Sequence, residues 1–301
     1  MAERLVSQLK PGERLIRPVY TPLGSQLFPK GTVIREREQE ILQAFMIHSV
    51  ETSGDVQTSE QLERSESVFS EETSLYLEYD HLLHYLKKTL PQAAVGPSPM
   101  LPLLSIRKRL RRLLDFIDQY DILTFRPAKM PIRDYFYHNS IMVSMTSYLL
   151  AQWSGSDHKD HFPIALAGLL HNIGYMKLNQ DLLRKKSLTK HEQEQLQKHP
   201  VHGYRILQSI PGLNHGIKMA ALQHHEKVDG SGYPLGLKGD NIHPYAKVVA
   251  VADIYHAMTN KRNYKEASSP YAVLDQLFAE SFGQLDPLLV QAFIHKITQY
   301  H

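Results

Sequence analysis

Two spacings of apolar residues divide the chain into two predicted parts. Up to Val50, short runs of β-branched and aromatic residues alternate with turn-forming pairs such as Pro11-Gly12 and Lys30-Gly31, which predicts short strands joined by tight turns. From Ser105 onwards, apolar residues instead recur at the i, i+3, i+4 and i+7 positions of an amphipathic helix. That spacing first occurs at Leu110, Leu113, Leu114 and Ile117. The pattern therefore predicts a mainly α fold with a small β-rich N-terminal module.

A polar segment separates these two parts. Residues 54–78 are rich in Ser, Glu, Gln and Thr and contain few apolar residues, which is typical of a linker or a solvated helix. We therefore predict a β-rich module over residues 1–56, a linker over residues 57–104 and a helical domain over residues 105–301. Within the linker, residues 76–90 are expected to form a short helix that Pro91 ends.

Local signals predict the bounds of the later helices. One helix is expected from Asp134 to Trp153, and the next is expected to open at Pro163 and to stop at Gly174. Thr189, followed three residues later by Glu192, predicts a capping box. Further helices are predicted over residues 217–225, 245–259, 270–283 and 287–298.

Composition narrows the chemistry. Charged residues make up 22% of the chain, no long apolar run is free of charge, and the N-terminus lacks a signal-peptide pattern, so we expect a cytoplasmic protein without membrane insertion. The absence of cysteine excludes disulfides, thiolate metal sites and cysteine nucleophiles. A net charge of +3 predicts no DNA or RNA binding. The basic run at residues 107–112 favours a solvated helix face over a phosphate site.

Polar residues at the ends of apolar helices indicate a functional site. His171, with Asn172 next to it, follows an apolar helical stretch, and His224 and His225 follow another. Burying these histidines without partners would cost a few kcal/mol each. Separate helical segments carry further candidates: His138, His199, His224, His225 and Asp253. Imidazole and carboxylate groups on several helices are what a metal centre inside a helical bundle requires.

The stretch from His224 to Pro234 carries a family resemblance. It reads His-His-Glu-Lys-Val-Asp-Gly-Ser-Gly-Tyr-Pro and resembles the signature of the HD-GYP family, a branch of the HD superfamily of metal-dependent phosphohydrolases. The resemblance extends over residues 135–297, and the N-terminal turns look like the small module that often precedes this domain. It implies an HD-type helical bundle.

The resemblance also implies an activity and a set of site residues. Family members hold two or three divalent ions, with iron or manganese expected, and hydrolyse cyclic di-GMP. The implied metal ligands are His138, His171, Asn172, His199, His224, His225 and Asp253. Tyr233 would lie beside the dinucleotide, and Arg262 and Lys265 would bind its phosphates.

The sequence departs from the family at two positions of the implied catalytic site. Asn172 replaces the aspartate expected to bridge the metals, and a neutral amide is a poor bridge between two cations. Tyr175 replaces a lysine, and whether Lys177 substitutes for that lysine stays open. We therefore expect a weakened or mononuclear metal site.

Two further residues resemble the ligands of a third ion that some family members bind. Asp134 lies four residues before His138, and His256 lies three residues after Asp253, so each pair shares a helix face. One hypothesis is that an ion held by these four residues partly compensates for Asn172. The alternative is that Asp134 and His256 are ordinary polar residues.

Three functions follow from the resemblance. The first is a cyclic di-GMP phosphodiesterase with altered or reduced activity. The second is a degenerate domain that binds the dinucleotide or a protein without hydrolysis, which Asn172 and Tyr175 favour. The third is hydrolysis of another phosphoester, which leaves the His224 to Pro234 stretch unexplained. A homodimer or a signalling partner bound through the N-terminal module is also expected.

Overall fold

The computed structural model describes most of the chain. The described residues are 2–10, 12–20, 26–34, 38–39, 42–43, 47–53, 71–95, 102–127, 131, 134–179, 181–185, 187–260, 270–280 and 283–299. Arg262 and Lys265, the predicted phosphate-binding residues, lie outside them. The chain divides into two compact units, one formed by residues 1–80 with 126–129 and the other by residues 81–125 with 130–301. The domain bounds expected from the sequence stay predictions.

The first unit contains short antiparallel strands, as the turn-rich sequence predicts. Its strands are β1 (Ala2–Leu5), β2 (Val19–Tyr20), β3 (Gln26–Phe28) and β4 (Ser49–Thr52). β1 pairs with β4, with Ala2 opposite Thr52, and β2 pairs with β3. Apolar side chains of the strands, of the segments that connect them and of the following helix form one small buried core: Val6, Leu9, Leu15, Leu27, Phe28, Ile34, Leu42, Val50 and Leu77.

The remaining elements are helices. In chain order they are α1 (Glu71–Val95), α2 (Leu103–Leu114), α3 (Tyr135–Trp153), α4 (His158–Leu170), α5 (Lys190–Leu196), α6 (His199–Gln208), α7 (His215–Gln223), α8 (Pro244–Thr259), α9 (Pro270–Glu280) and α10 (Pro287–Gln299). The predicted mainly α fold with a small strand-containing N-terminal region is therefore confirmed. Within the described residues, no helix combines the length and low polarity needed to span a membrane.

Two helices form the centre of the second unit. α3 and α8 have buried residues along nearly their whole length, as expected for helices that are apolar or small-sided all round. α3 packs against α4 and α8. A Cβ added at Gly168 in α4 would lie 3.0 Å from the Cα of Ser144 in α3, so the missing side chain lets the two helices approach closely. The helix ends that carry the polar residues are thereby held inside the bundle.

Two proline-based predictions were wrong. Pro163 lies inside α4, which begins five residues earlier at His158, where Asp157 caps it by accepting a 3.1 Å hydrogen bond from the Lys159 amide. Pro91 likewise lies inside α1, which is longer than predicted and continues to Val95. Both helices therefore continue through a residue that is normally unfavourable in a helix interior. The Thr189 capping box is confirmed.

Gly174 does not end a helix, as the sequence had suggested. α4 already ends at Leu170, and Gly174 lies in a 3-10 helix, Ile173–Lys177, that packs on α6. A Cβ added at Gly174 would lie 1.9 Å from the carbonyl oxygen of His199 and 2.6 Å from the amide nitrogen of Gly203. Glycine is therefore required there because two backbones touch, and this contact positions His199.

We predict that Gly174→Ala destabilises the protein. The added methyl group would collide with backbone atoms, so the free energy of unfolding should fall by about 1–3 kcal/mol, and manganese binding should weaken as His199 moves. Gly203→Ala is the matched control, because its nearest neighbour would lie at an ordinary 3.4 Å. Urea denaturation and manganese titration of both variants test this. Equal stability of the two variants would contradict the close-contact interpretation.

Candidate metal centre

Four helical segments bring the candidate ligands together. His171 follows α4, His199 is the first residue of α6, His224 follows α7, and Asp253 lies within α8. All four side chains are buried. Among the described residues, one group of three histidine or acidic side chains lies close enough to share an ion: ligand atoms of His199, His224 and His225 all lie within 4.8 Å of one another.

Backbone carbonyls orient three of the imidazoles. The Nδ1 atom of His171 lies 2.6 Å from the Gly168 carbonyl oxygen, and that of His199 lies 2.7 Å from the Leu196 carbonyl oxygen. The Nδ1 atom of His224 lies 3.0 Å from the Ala220 carbonyl oxygen. Because a carbonyl oxygen only accepts, each Nδ1 must carry the proton and donate it. In the neutral rings, each Nε2 is therefore left with a lone pair.

These Nε2 lone pairs point into a shared space. The Nε2 atoms of His199 and His224 lie 3.2 Å apart, and two neutral imidazoles of this tautomer have no proton to place between them. The contact therefore needs a proton or a metal cation. A carbonyl bond on the other ring nitrogen is the usual way in which proteins orient a histidine metal ligand.

Asp253 adds a carboxylate to the histidine group. Its Oδ1 atom lies 3.3 Å from the Nε2 of His171 and accepts a 2.8 Å hydrogen bond from the Asn139 side-chain amide. Sequence reasoning did not single out Asn139, although its position directly after His138 was a usable signal. The amide holds the carboxylate towards His171, so a carboxylate oxygen and a ring nitrogen face the same point.

Burial sets the protonation of the site. Desolvation, with the charge of nearby histidines, holds the pKa values of His199 and His224 well below their usual range. Burial opposes ionisation of Asp253, but when the metal-free His171 ring also carries a proton on Nε2, its hydrogen bond and charge, with smaller contributions from His225 and His224, hold the pKa of Asp253 well below its usual range. A bound cation would take the place of that proton. Neutral imidazoles and an ionised carboxylate are the forms that bind divalent metals.

Asn172, which directly follows His171 in the chain, has an unpartnered side-chain oxygen. It is 8% exposed, and its Oδ1 atom has no hydrogen-bond partner within the described part of the chain. A buried amide oxygen without a partner costs free energy that a nearby cation would recover. Imidazole lone pairs, a carboxylate and an amide oxygen are donor types that suit a divalent cation.

Two tyrosines stack on the histidine group. The ring of Tyr175 lies on that of His199, with centroids 4.0 Å apart and planes at 15°, and the ring of Tyr233 lies on that of His225 at 4.8 Å and 21°. Lys177 is exposed. It had been considered as a substitute for the lysine that the HD-GYP family has at the position of Tyr175. Tyr175 therefore contributes a ring that orients His199, but no positive charge.

Two of the other predicted ligands, Asp134 and His256, have hydrogen-bond partners in the protein. His138 is buried in α3, directly before Asn139. Asp134 accepts a 2.7 Å hydrogen bond from the Lys87 ammonium, and the His256 Nε2 lies 2.7 Å from the Thr146 hydroxyl. The assignment of His138, Asp134 and His256 as metal ligands stays a prediction.

Glu226 holds the loop that follows the paired histidines. Its buried carboxylate accepts hydrogen bonds of 2.7 Å from the Leu235 amide and 2.9 Å from the Leu237 amide. Sequence reasoning treated Glu226 only as part of the signature. These two bonds bring the chain back past the centre and place Tyr233 against His225.

Comparison with known proteins identifies the family. The family model described as "HD domain" matches residues 113–289, more than half of the chain. This chain belongs to the HD domain family. The expectation of an HD-type protein is thus confirmed, as is the expectation of a histidine-rich site of the kind that metal-dependent HD phosphohydrolases use.

The chain is also similar to individual curated proteins. It is 36% identical over 161 residues to the cyclic di-GMP phosphodiesterase response regulator RpfG of Xanthomonas campestris, covering 52% of this chain and 42% of that protein. It is 33% identical over 168 residues to the cyclic di-GMP phosphodiesterase PA4108 of Pseudomonas aeruginosa, covering 56% and 40%. The chain therefore spans about two-fifths of the length of these relatives.

A solved structure has a similar fold. Bd1817, an HDG"Y"P protein from Bdellovibrio bacteriovorus, superposes with a TM-score of 0.59, 16% sequence identity and coverage of 99% of both chains. At this identity, the similarity concerns the fold alone. It agrees with the HD-GYP-like helical architecture expected from the sequence.

The buried histidines predict acid sensitivity of the metal-free protein. Burial lowers the pKa of His138 from 6.5 to about 4, with the nearby Asp134 charge opposing this and Lys87 adding to it. Between these values the unfolded chain binds a proton that the folded chain does not. The free energy of unfolding should therefore be highest above pH 6.5 and should decrease as the pH falls from 6.5 to about 4, by roughly 2–4 kcal/mol for this residue. The lowered pKa values of His199 and His224 act in the same direction.

Urea denaturation in the presence of a chelator, repeated from about pH 7.5 down to about pH 4, measures this dependence. His138→Asn should reduce the slope because it removes one such proton-binding group. A free energy of unfolding that stays constant or rises on acidification would contradict the neutral state assigned to the buried imidazoles.

Proposed function

We propose that this protein is a metal-dependent phosphodiesterase that hydrolyses cyclic di-GMP with reduced activity. The main observation that supports this proposal is the pair of Nε2 atoms of His199 and His224, which lie 3.2 Å apart, beside the loop that runs from His225 to Pro234. Relatives named as cyclic di-GMP phosphodiesterases support the substrate. The HD-GYP signature in that loop supports the same assignment.

The proposed centre holds two divalent ions, with iron or manganese expected. His199, His224 and His225 would hold one side of the centre, and His171 with Asp253 the other. When bound, such ions lower the pKa of a water molecule and neutralise the phosphodiester oxygens. The backbone carbonyls at Gly168, Leu196 and Ala220 keep the ligand rings in the required tautomer.

Substrate positioning is assigned to the loop and to two cations. Tyr233 is half-buried and its ring stacks on that of His225, and it is proposed to lie beside the dinucleotide. Arg262 is proposed to bind a phosphate through its forked guanidinium, and Lys265 to add a point charge. Both cations lie in the part of the chain outside the described residues.

Asn172 is the reason to propose reduced activity. Its amide oxygen can contact one cation but carries no charge to offset two, so the ions are held less tightly than by a carboxylate. Tyr175 likewise brings no positive charge to the reacting phosphate. These two residues also favour the second candidate function, in which the domain binds cyclic di-GMP and signals without hydrolysis.

We predict that Asn172→Asp raises cyclic di-GMP hydrolysis by about 10–100-fold, because it restores a charged metal ligand. Protein purified without oxygen and supplied with iron or manganese should be assayed for linear dinucleotide and GMP. Asn179→Asp is the matched control, since it makes the same chemical change at an exposed position seven residues away. His224→Ala should abolish both hydrolysis and metal binding.

The outcomes separate the candidate functions. Turnover by the parent protein supports the phosphodiesterase. Turnover by Asn172→Asp alone, with dinucleotide binding retained by the parent, supports the binding module. If neither hydrolyses cyclic di-GMP while one cleaves another nucleotide in a panel, the substrate assignment is wrong.

Other expectations stay predictions. The cytoplasmic location, the homodimer and a signalling partner for the N-terminal unit rest on the sequence alone. Size-exclusion chromatography with light scattering measures the oligomeric state directly.

A further inference from the structure

Asp134 directs its carboxylate away from the helix that it precedes. It occupies the N-cap position of α3, where an aspartate normally accepts a hydrogen bond from the first turn, yet its side chain makes no capping bond. The carboxylate is instead buried and accepts a 2.7 Å hydrogen bond from the Lys87 ammonium. The expected helix cap has thus been replaced by an ion pair.

Lys87 is fixed in this position by α1. Its side chain is 24% exposed and that of Asp134 is 11% exposed, so water screens the pair only in part. A charge-assisted hydrogen bond of this length is among the stronger polar contacts in proteins. Removing the ammonium alone would leave a largely buried carboxylate without a counter-charge.

His256 is engaged in a separate polar group. Its Nε2 atom lies 2.7 Å from the Thr146 hydroxyl and 3.4 Å from the Tyr120 hydroxyl, and these two hydroxyls lie 3.1 Å apart. All three side chains are buried. The second residue predicted to bind a third ion therefore already has protein partners for that ring nitrogen.

We propose that the Lys87 ammonium occupies the cation position beside Asp134, so that this chain binds divalent metal only at the centre formed by the histidines and Asp253. This inference rests on the metal centre of the proposed function. An ion coordinated by the Asp134 carboxylate would lie within a few ångströms of the ammonium, and like charges at that distance repel strongly where water is largely excluded. The lysine supplies one positive charge where a third ion would supply two.

Manganese stoichiometry tests the proposal without relying on activity. We expect Lys87→Met to bind one more manganese ion per chain than the parent, because the Asp134 carboxylate then lacks a cation. Lys88→Met is the matched control, since it removes the neighbouring charge of the same helix from an exposed position. Bound metal is measured by elemental analysis after desalting and by manganese electron paramagnetic resonance.

Asp134→Asn locates the additional ion. In the Lys87→Met background it should remove the extra manganese, and in the parent it should leave the metal count unchanged. Three results would overturn the proposal: no gain in Lys87→Met, a gain that persists in the double variant, or loss of one ion from the parent on Asp134→Asn. Should Lys87→Met not fold, as judged by circular dichroism, the Asp134→Asn result in the parent decides the matter.

His224→Ala separates this proposal from the proposed function. It should remove metal from the histidine centre in every background. A folded parent that binds no manganese would refute the metal centre itself. A parent that loses its manganese on His224→Ala, but gains none on Lys87→Met, would refute only the role of Lys87.

Discussion

The site depends on a contact between two buried imidazoles with their lone pairs facing each other. His199 and His224 each direct Nδ1 to a backbone carbonyl, so their Nε2 atoms meet at 3.2 Å with no proton to share. The fold must hold this unfavourable contact in place until a cation satisfies it. The backbone contact at Gly174 positions His199, and the stacked ring of Tyr175 supports it. The site is therefore preorganised for positive charge.

Charge balance limits how much divalent metal this site can hold. Asn172 is neutral, whereas the HD-GYP signature that the sequence resembles has an aspartate there. Lys87 places a positive charge beside Asp134. Both features reduce the net negative charge available to divalent ions. They act in the same direction, towards fewer or more weakly held metals, although they lie on different elements. The proposed hydrolysis and the proposed binding function differ mainly in whether the remaining ligands hold enough metal to activate water.

Local sequence patterns predicted the bounds of a helix well where those bounds depend on residues within the helix or next to it. The bounds of α3 and α8 agree with the predictions to within one residue at each end, and the Thr189 capping box is present. The predictions failed at Pro91, Pro163 and Gly174. The rules that proline begins or ends a helix, and that glycine ends one, consider the local chain alone and not its contacts with other elements. The two prolines are carried inside longer helices, and the glycine serves a contact with another element.

The sequence by itself determined the residue types of the site and the family to which it belongs, because the ligands lie in short motifs readable from neighbouring letters. Tertiary structure alone decided which ring nitrogens face one another, that Asn139 orients Asp253, and that Lys87 reaches Asp134 across 47 residues of chain. Such contacts depend on how helices distant in sequence pack. Periodicity specifies which face of a helix is buried, but not which polar group it will meet there.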